Sequence, residues 1–217
     1  MKRTLCMILV VLTVFSLAAC SNNENKDNGG ETQPPIVEPE KKDEFEISDA
    51  LKFKASYEIL NDKEGTVQIS ISEDNPIVIL EEEEVLPFLE NETGIIYFGF
   101  PSCPWCRNAI PALLEVATEN NMPVYYFDVL QLRKTENETY DKLKQRLDEY
   151  LLTDDEGVKK LFVPDVYFLK DGEIVSRHID TVPTQKDAKI PLTEEQFAEL
   201  KSIYQEGIDA ILGETNE

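Results

Sequence analysis

Phe98-Gly99-Phe100-Pro101-Ser102-Cys103-Pro104-Trp105-Cys106-Arg107 is the stretch that decides how this chain reads. An apolar run, Ile95 to Phe98, leads into it and has the character of a buried strand. Behind it Ile110, Leu113, Leu114 and Ala117 recur at helical spacing. The local order is therefore strand, tight turn, Cys-x-x-Cys, helix. Pro104 falls at the first helical position, where its missing N–H costs nothing. Cys103 then lies at the helix N-terminus, where free backbone N–H groups and the helix dipole favour a negative charge. Its thiol pKa is expected to fall. Cys106 follows one turn later, placed to resolve a mixed disulfide. Arg107 is expected to add a positive charge beside the pair.

Other uses of two cysteines fit less well. A structural zinc site takes four Cys or His ligands, and this chain offers one histidine, His178. A c-type haem site needs His directly after the second Cys, where Arg107 stands. An inert disulfide remains open, although a two-residue loop contributes little closure entropy.

The first residues are a targeting segment rather than fold. Lys2 and Arg3 precede an apolar run, Leu5 to Ala19, that is short for a membrane span. It ends in Leu17-Ala18-Ala19-Cys20, which resembles the lipobox of bacterial lipoproteins. That resemblance implies a signal peptide over residues 1–19, a lipidated Cys20 and an extracytoplasmic protein held at the bacterial cell membrane by its acyl chains. Cys6 leaves with the signal and Cys20 is blocked, so Cys103 and Cys106 are the only thiols of the mature chain. Export places them where disulfides persist.

Beyond residue 20 the chain carries 19 Lys+Arg and 43 Asp+Glu, a net charge of −24. Such acidity argues against nucleic acid and against lying flat on anionic lipid. Residues 20–44 lack apolar periodicity and are predicted to form a disordered tether with a reach of roughly 25–30 Å. The folded domain is predicted over 45–217.

Within it the patterns predict a short helix from Phe45 to Tyr57, an alternating strand from Thr66 to Ile71, a strand from Ile77 to Leu80 and a helix from Glu81 to Glu90. The cysteine helix runs to Asn120 with Pro111 inside it. A strand follows from Val124 to Phe127, then a long helix from Glu136 to Leu152. Val163-Pro164 opens a strand, Val166 to Leu169. Asp171-Gly172 signals a hairpin turn, and Ile174 to Ile179 is the return strand. Thr193-Glu-Glu-Gln196 is a capping box for a last helix.

In this order, from about Ile95 to Leu212, the chain resembles the thioredoxin-like superfamily. Cys103-Pro-Trp-Cys106 opens the helix, Pro111 sits at the spacing of that family's kink proline, and Val163-Pro164 resembles its cis-proline loop. The wider sequence also resembles bacterial thioredoxin-like proteins described as bacteriocin-transport accessory proteins. The resemblance implies an α/β thioredoxin-like fold, a central mixed β-sheet flanked by helices. It also implies that the Val163-Pro164 loop faces the cysteine pair and offers its backbone edge to a substrate peptide. Pro104 and Trp105 would flank the reactive sulfur, Trp105 as an exposed aromatic contact.

Two departures stand out. The family usually has a buried acid six residues before the first Cys, paired with a Lys on the next strand. The corresponding residues here are Tyr97 and Val124. Asp165 or water is then a substitute proton acceptor for Cys106. The Glu136–Asp155 segment is also longer than usual.

The expected function is thiol–disulfide exchange with protein or peptide partners through a redox-active Cys103–Cys106 pair, with no metal or organic cofactor. An upstream redox partner would reset the pair. The alternative is a non-catalytic accessory or binding subunit of an export system, with the pair as a structural bridge.

Overall fold

A computed structural model describes residues 47–134 and 137–213. The expected signal, Cys20, the tether and Phe45 lie outside the described residues. The element order is α1 (Ile47–Glu58), β1 (Ile77–Ile79), α2 (Glu82–Asn91), β2 (Gly94–Gly99), α3 (Pro104–Glu119) and β3 (Val124–Asp128). A 3-10 turn (Leu132–Lys134) follows, then α4 (Glu138–Arg146), the short pair β4 (Leu152–Thr153) and β5 (Lys159–Lys160), β6 (Asp165–Lys170), β7 (Glu173–Ile179) and α5 (Glu194–Leu212).

Five strands form one mixed sheet in the order β1-β3-β2-β6-β7. β1, β3 and β2 are parallel, while β6 and β7 run against their neighbours. β2 is central and all six of its residues are buried. That is why it reads as an unbroken apolar run, since a strand covered on both faces has no polar side. Its alternate residues feed two cores. Ile95 and Tyr97 pack with α1, α3 and α5, and Ile96 and Phe98 pack with α2 and α4. The molecule is an α/β fold of three layers, with the sheet between two sets of helices.

Local signals translate directly where they are self-contained. Thr193 and Gln196 form the reciprocal capping box at the start of α5. Asp171 and Gly172 take φ of 51° and 75°, the left-handed pair that a tight β6–β7 hairpin requires. Gly172 has a second reason to be glycine. A β-carbon there would run into the carbonyl oxygen of Glu90. The turn is fastened by Arg146, which donates to the carbonyls of Gly172 (2.7 Å) and Leu89 (3.0 Å).

Two expected elements differ. Thr66 to Ile71 alternates as a strand does, with Val67, Ile69 and Ile71 buried, yet it joins no sheet. Its backbone is satisfied by side chains instead. Asn61 exchanges two hydrogen bonds with Ile69, Glu58 accepts from the Ile71 N–H, and Lys54 donates to the Ile71 carbonyl. Alternation reports which side chains face the core; it does not report what pairs with the backbone.

The long helix is the other correction. α4 ends at Arg146, with Leu147 as its C-cap. Leu143 and Leu147 are buried in the second core, but the chain then turns so that Tyr150 meets Tyr167 edge-on with centroids 5.8 Å apart. Leu152 belongs to a small two-stranded sheet with Lys160. Tertiary packing overrides the helical periodicity there.

Replacing Gly172 with Ala is expected to destabilise the fold by about 2 kcal/mol or more, from the left-handed backbone and the clash together. Chemical denaturation midpoints of the two proteins measure it.

Candidate functional site

β2 delivers the chain to one edge of the sheet, and Phe100-Pro101-Ser102 turn it into α3. Cys103 is the N-cap of α3 and Pro104 its first residue. The cap side chain is a sulfur. Cys103 Sγ accepts from the Cys106 N–H at 3.3 Å, one of the donors a helix start leaves free. Across the site Val163-Pro164 is a cis peptide, and the Cys103 thiol lies 3.6 Å from the Val163 carbonyl oxygen. The structure thus brings Cys103, Cys106, Val163 and Pro164 together at one sheet edge. Pro104 is exposed, while Trp105 is half-buried and rests on the first core. Trp105 is therefore less free than an exposed aromatic.

The two thiols sit in different surroundings. Cys103 keeps 6% of its surface open and Cys106 none. The Cys103 pKa is lowered, first by the hydrogen bond from Cys106, then by backbone N–H groups of the helix start and by the charge of Arg133, against the opposing effect of burial. The Cys106 pKa is pushed well up, chiefly by burial and then by its bond to Cys103. The pair is polarised before any substrate arrives, with one sulfur inclined to be an anion and the other to keep its proton.

The cation beside Cys103 is not the expected one. Arg107 is buried, and its guanidinium donates to the carbonyls of Val67 (2.7 Å), Tyr57 (2.8 Å) and Pro101 (3.3 Å) and to the Asn61 side chain (2.6 Å). It staples the segment after α1 to the cysteine helix and has no role at the sulfur. Arg133 fills that role. It lies on the 3-10 turn after β3, with its guanidinium 5.6 Å from the centre of the Phe100 ring, and it donates to the Leu161 carbonyl. β3 runs parallel to β2, so whatever follows β3 emerges at the same edge as the cysteine turn.

Asp165 does not serve Cys106. Strand residues alternate, and Val166 and Phe168 face the cysteine core while Tyr167 and Leu169 face the other. Asp165 shares the side of Tyr167, whose hydroxyl donates to it at 2.9 Å. Arg177 holds it bidentately, both contacts 2.8 Å. Its pKa is pushed up to about 6 because burial outweighs Arg177. Val124, expected opposite Tyr97, is buried but pairs with Ile95; the residue facing Tyr97 on β3 is Tyr126. Tyr97, in place of the acid, is buried within the cysteine core, and its hydroxyl lies 2.9 Å from that of Tyr57.

No protein-family model matches the chain, and no curated protein does. Among solved structures it is similar to a thioredoxin-fold protein provisionally described as an oxidoreductase, at 20% identity over 48% of this chain and 83% of that one, with a TM-score of 0.37. It is also similar to thioredoxin O2 of Arabidopsis thaliana in its oxidized state, at 18% identity over 61% of this chain and 94% of that one, again with a TM-score of 0.37. A shared activity does not follow from likeness at this level, so the chemistry rests on the cysteine pair and its surroundings.

Alkylation rate against pH separates the two arginines. Arg133→Leu is expected to move the Cys103 midpoint upward. Arg107→Met is expected to leave the midpoint in place while costing about 2–4 kcal/mol of stability, because the Val67 carbonyl loses its donor and the Tyr57 carbonyl keeps only the Leu60 N–H. A midpoint that follows Arg107 instead would reverse the assignment.

Proposed function

We propose that this chain is an extracytoplasmic, membrane-tethered thiol–disulfide oxidoreductase of thioredoxin-like kind, acting on protein or peptide disulfides. The observation that carries the reading is the position of the Cys103 sulfur. It caps a helix, takes a backbone N–H bond at 3.3 Å and lies 3.6 Å from the Val163 carbonyl, with Cys106 fully buried behind it. An inert staple has no need of one lowered and one raised pKa. The sheet order, with the cysteine helix following the central strand, supports the family placement.

The chemistry balances without a cofactor. Cys103 thiolate attacks one sulfur of a client disulfide, and the other client sulfur leaves with the bonding electron pair and takes up a proton. Cys106 loses its proton and attacks Cys103. The Cys103–client bond breaks, leaving the client reduced by two electrons and the pair oxidised. Run backwards, the same steps oxidise a client dithiol. In either direction an upstream redox partner has to reset the pair.

A client chain would lie against the Val163 edge, with Trp105 and Pro104 on its other side. Beside that edge runs a groove of about 330 Å³ between Arg133, Lys144, Lys159 and Lys160, with Val158 and Phe162 exposing apolar side chains. The lysines pair with Asp141, Asp148 and Asp154. Arg133 binds a carbonyl and a ring, so its charge remains available to the site.

The anchor belongs to the same proposal, with Cys20 as the acylated residue. Cys20→Ser is expected to abolish fatty-acid labelling in cells and to move the protein out of the membrane fraction. In the same cells Cys106→Ser is expected to accumulate mixed disulfides between Cys103 and clients, visible as reducible adducts on gels. If no client is trapped while the wild-type thiols stay accessible, the chain is instead a non-catalytic accessory subunit of an export system.

A further inference from the structure

The resolving step poses a problem that the cysteine pair alone does not solve. Cys106 must part with its proton to attack Cys103, yet it is wholly buried and burial holds the proton on. Asp165 faces away, and Asp128, opposite Gly99 at the end of β3, accepts from the Leu130 N–H and acts on Tyr126. The groups that do face Cys106 are Cys103 from the turn, Tyr97 from β2, Tyr57 from α1, Tyr126 from β3 and Tyr204 from α5. Arg133 acts on Cys103, and Arg107, next in sequence to Cys106, is turned to the backbone of Val67 and Tyr57.

Among these, Tyr97 shares the buried core with Cys106, and its phenol lowers the Cys106 pKa against the effect of burial. The local sequence arranges this. Residues 97 and 99 lie on the same side of β2, and a β-carbon at Gly99 would overlap the Tyr97 hydroxyl. The phenol therefore lies along the strand, over Gly99, towards the cysteine turn. It is held from two further directions. Its ring stacks on Tyr126 with centroids 5.4 Å apart and planes 25° apart, and its hydroxyl lies 2.9 Å from the Tyr57 hydroxyl. A phenol has one proton to donate. When Tyr57 donates to Tyr97, the Tyr97 proton is free for the sulfur. Burial pushes both phenols well above their ordinary pKa, so they stay neutral beside a thiolate.

We propose that Tyr97 is a catalytic residue of the resolving step, its hydroxyl donating to the Cys106 sulfur as negative charge develops there, with Tyr57 as the positioning residue behind it and Gly99 clearing the space. The inference rests on the exchange reading above. In the step, the Cys106 S–H bond breaks and its proton passes to solvent. The sulfur electron pair forms the Cys103–Cys106 bond, the Cys103–client bond breaks, and the client sulfur leaves with that pair and is protonated. One proton is lost and one gained. Tyr97 ends as it began, and no outside oxidant or reductant enters.

The test uses the reduced chain with Cys6→Ser and Cys20→Ser, in which Cys103 and Cys106 are the only thiols, and an aryl disulfide, 5,5′-dithiobis(2-nitrobenzoate), whose two thiolates are released in turn. The first release reports attack by Cys103 and the second reports resolution by Cys106. Tyr97→Phe is expected to slow the second release about tenfold or more, as fits loss of a hydrogen bond to a charged group, and to move its pH midpoint upward. The first release keeps its rate. Tyr57→Phe should produce a smaller change of the same kind. Gly99→Ala, which keeps the phenol but displaces its hydroxyl, should also slow the second release, and it serves if Tyr97→Phe does not fold. A second release that neither substitution at 97 nor at 99 alters, in rate or in pH midpoint, overturns this inference alone. A wild-type protein that releases no second equivalent overturns the exchange reading and this inference with it.

Discussion

A sulfur atom in the place of a helix cap is the interaction on which the site depends. The Cys106 N–H would be an orphan donor at the start of α3, and the Cys103 side chain is what satisfies it. A hydrogen bond to a charged acceptor contributes about 1.5–3 kcal/mol, and it lowers the pKa of the thiol that accepts it. The helix therefore gains a cap when the thiol ionises, and the thiol gains acidity when the helix forms. The sheet's part is to fix where this occurs. β2 is buried along its whole length, so the turn that follows it is held at the sheet edge, opposite the loop that precedes β6.

Charge is divided between structural and chemical tasks in a way that adjacency in sequence conceals. Arg107 is next to Cys106 in the chain, yet a helix turns about 100° per residue and carries it to another face. There four oxygen acceptors await it: the carbonyls of Val67, Pro101 and Tyr57, the last in the final turn of α1, and the Asn61 side chain. The Val67 carbonyl needs a donor because residues 66–71 have no strand beside them. A fixed cation solves that structural problem and is then saturated. Arg133 stands far away in sequence but at the same sheet edge, with fewer acceptors, and its field reaches Cys103.

This division also marks what sequence can and cannot convey. The central strand, the cysteine helix, the Asp171-Gly172 turn and the Thr193 capping box were legible because each is settled within a few residues by burial, a cap or a left-handed backbone. The Val163-Pro164 loop was legible through resemblance alone. The unpaired stretch at Thr66 to Ile71 and the shortened α4 were not, since both hang on what long-range packing offers to backbone and side chains that look regular in isolation. Asp165 misled for a related reason. Its closeness in sequence to Pro164 placed it near the pair, whereas the side of the strand it occupies places it with Tyr167 and Arg177.

Tyr97 on β2, where the thioredoxin-like resemblance implies a buried acid, has a consequence for stability as well as chemistry. An isolated buried carboxylate would need a partner cation, and the facing position on β3 is Tyr126, which carries none. A phenol imposes no such demand. It brings a hydroxyl to the core at the cost of one hydrogen-bond partner, which Tyr57 supplies. Such a group cannot hold the departing proton as a carboxylate could, because burial keeps the phenols neutral. It can lower the energy of a buried thiolate by donating to it, and it does so without adding another negative charge beside that anion. In a chain already carrying a net charge of −22, a neutral donor behind the resolving sulfur stabilises the thiolate where a second anion would oppose it.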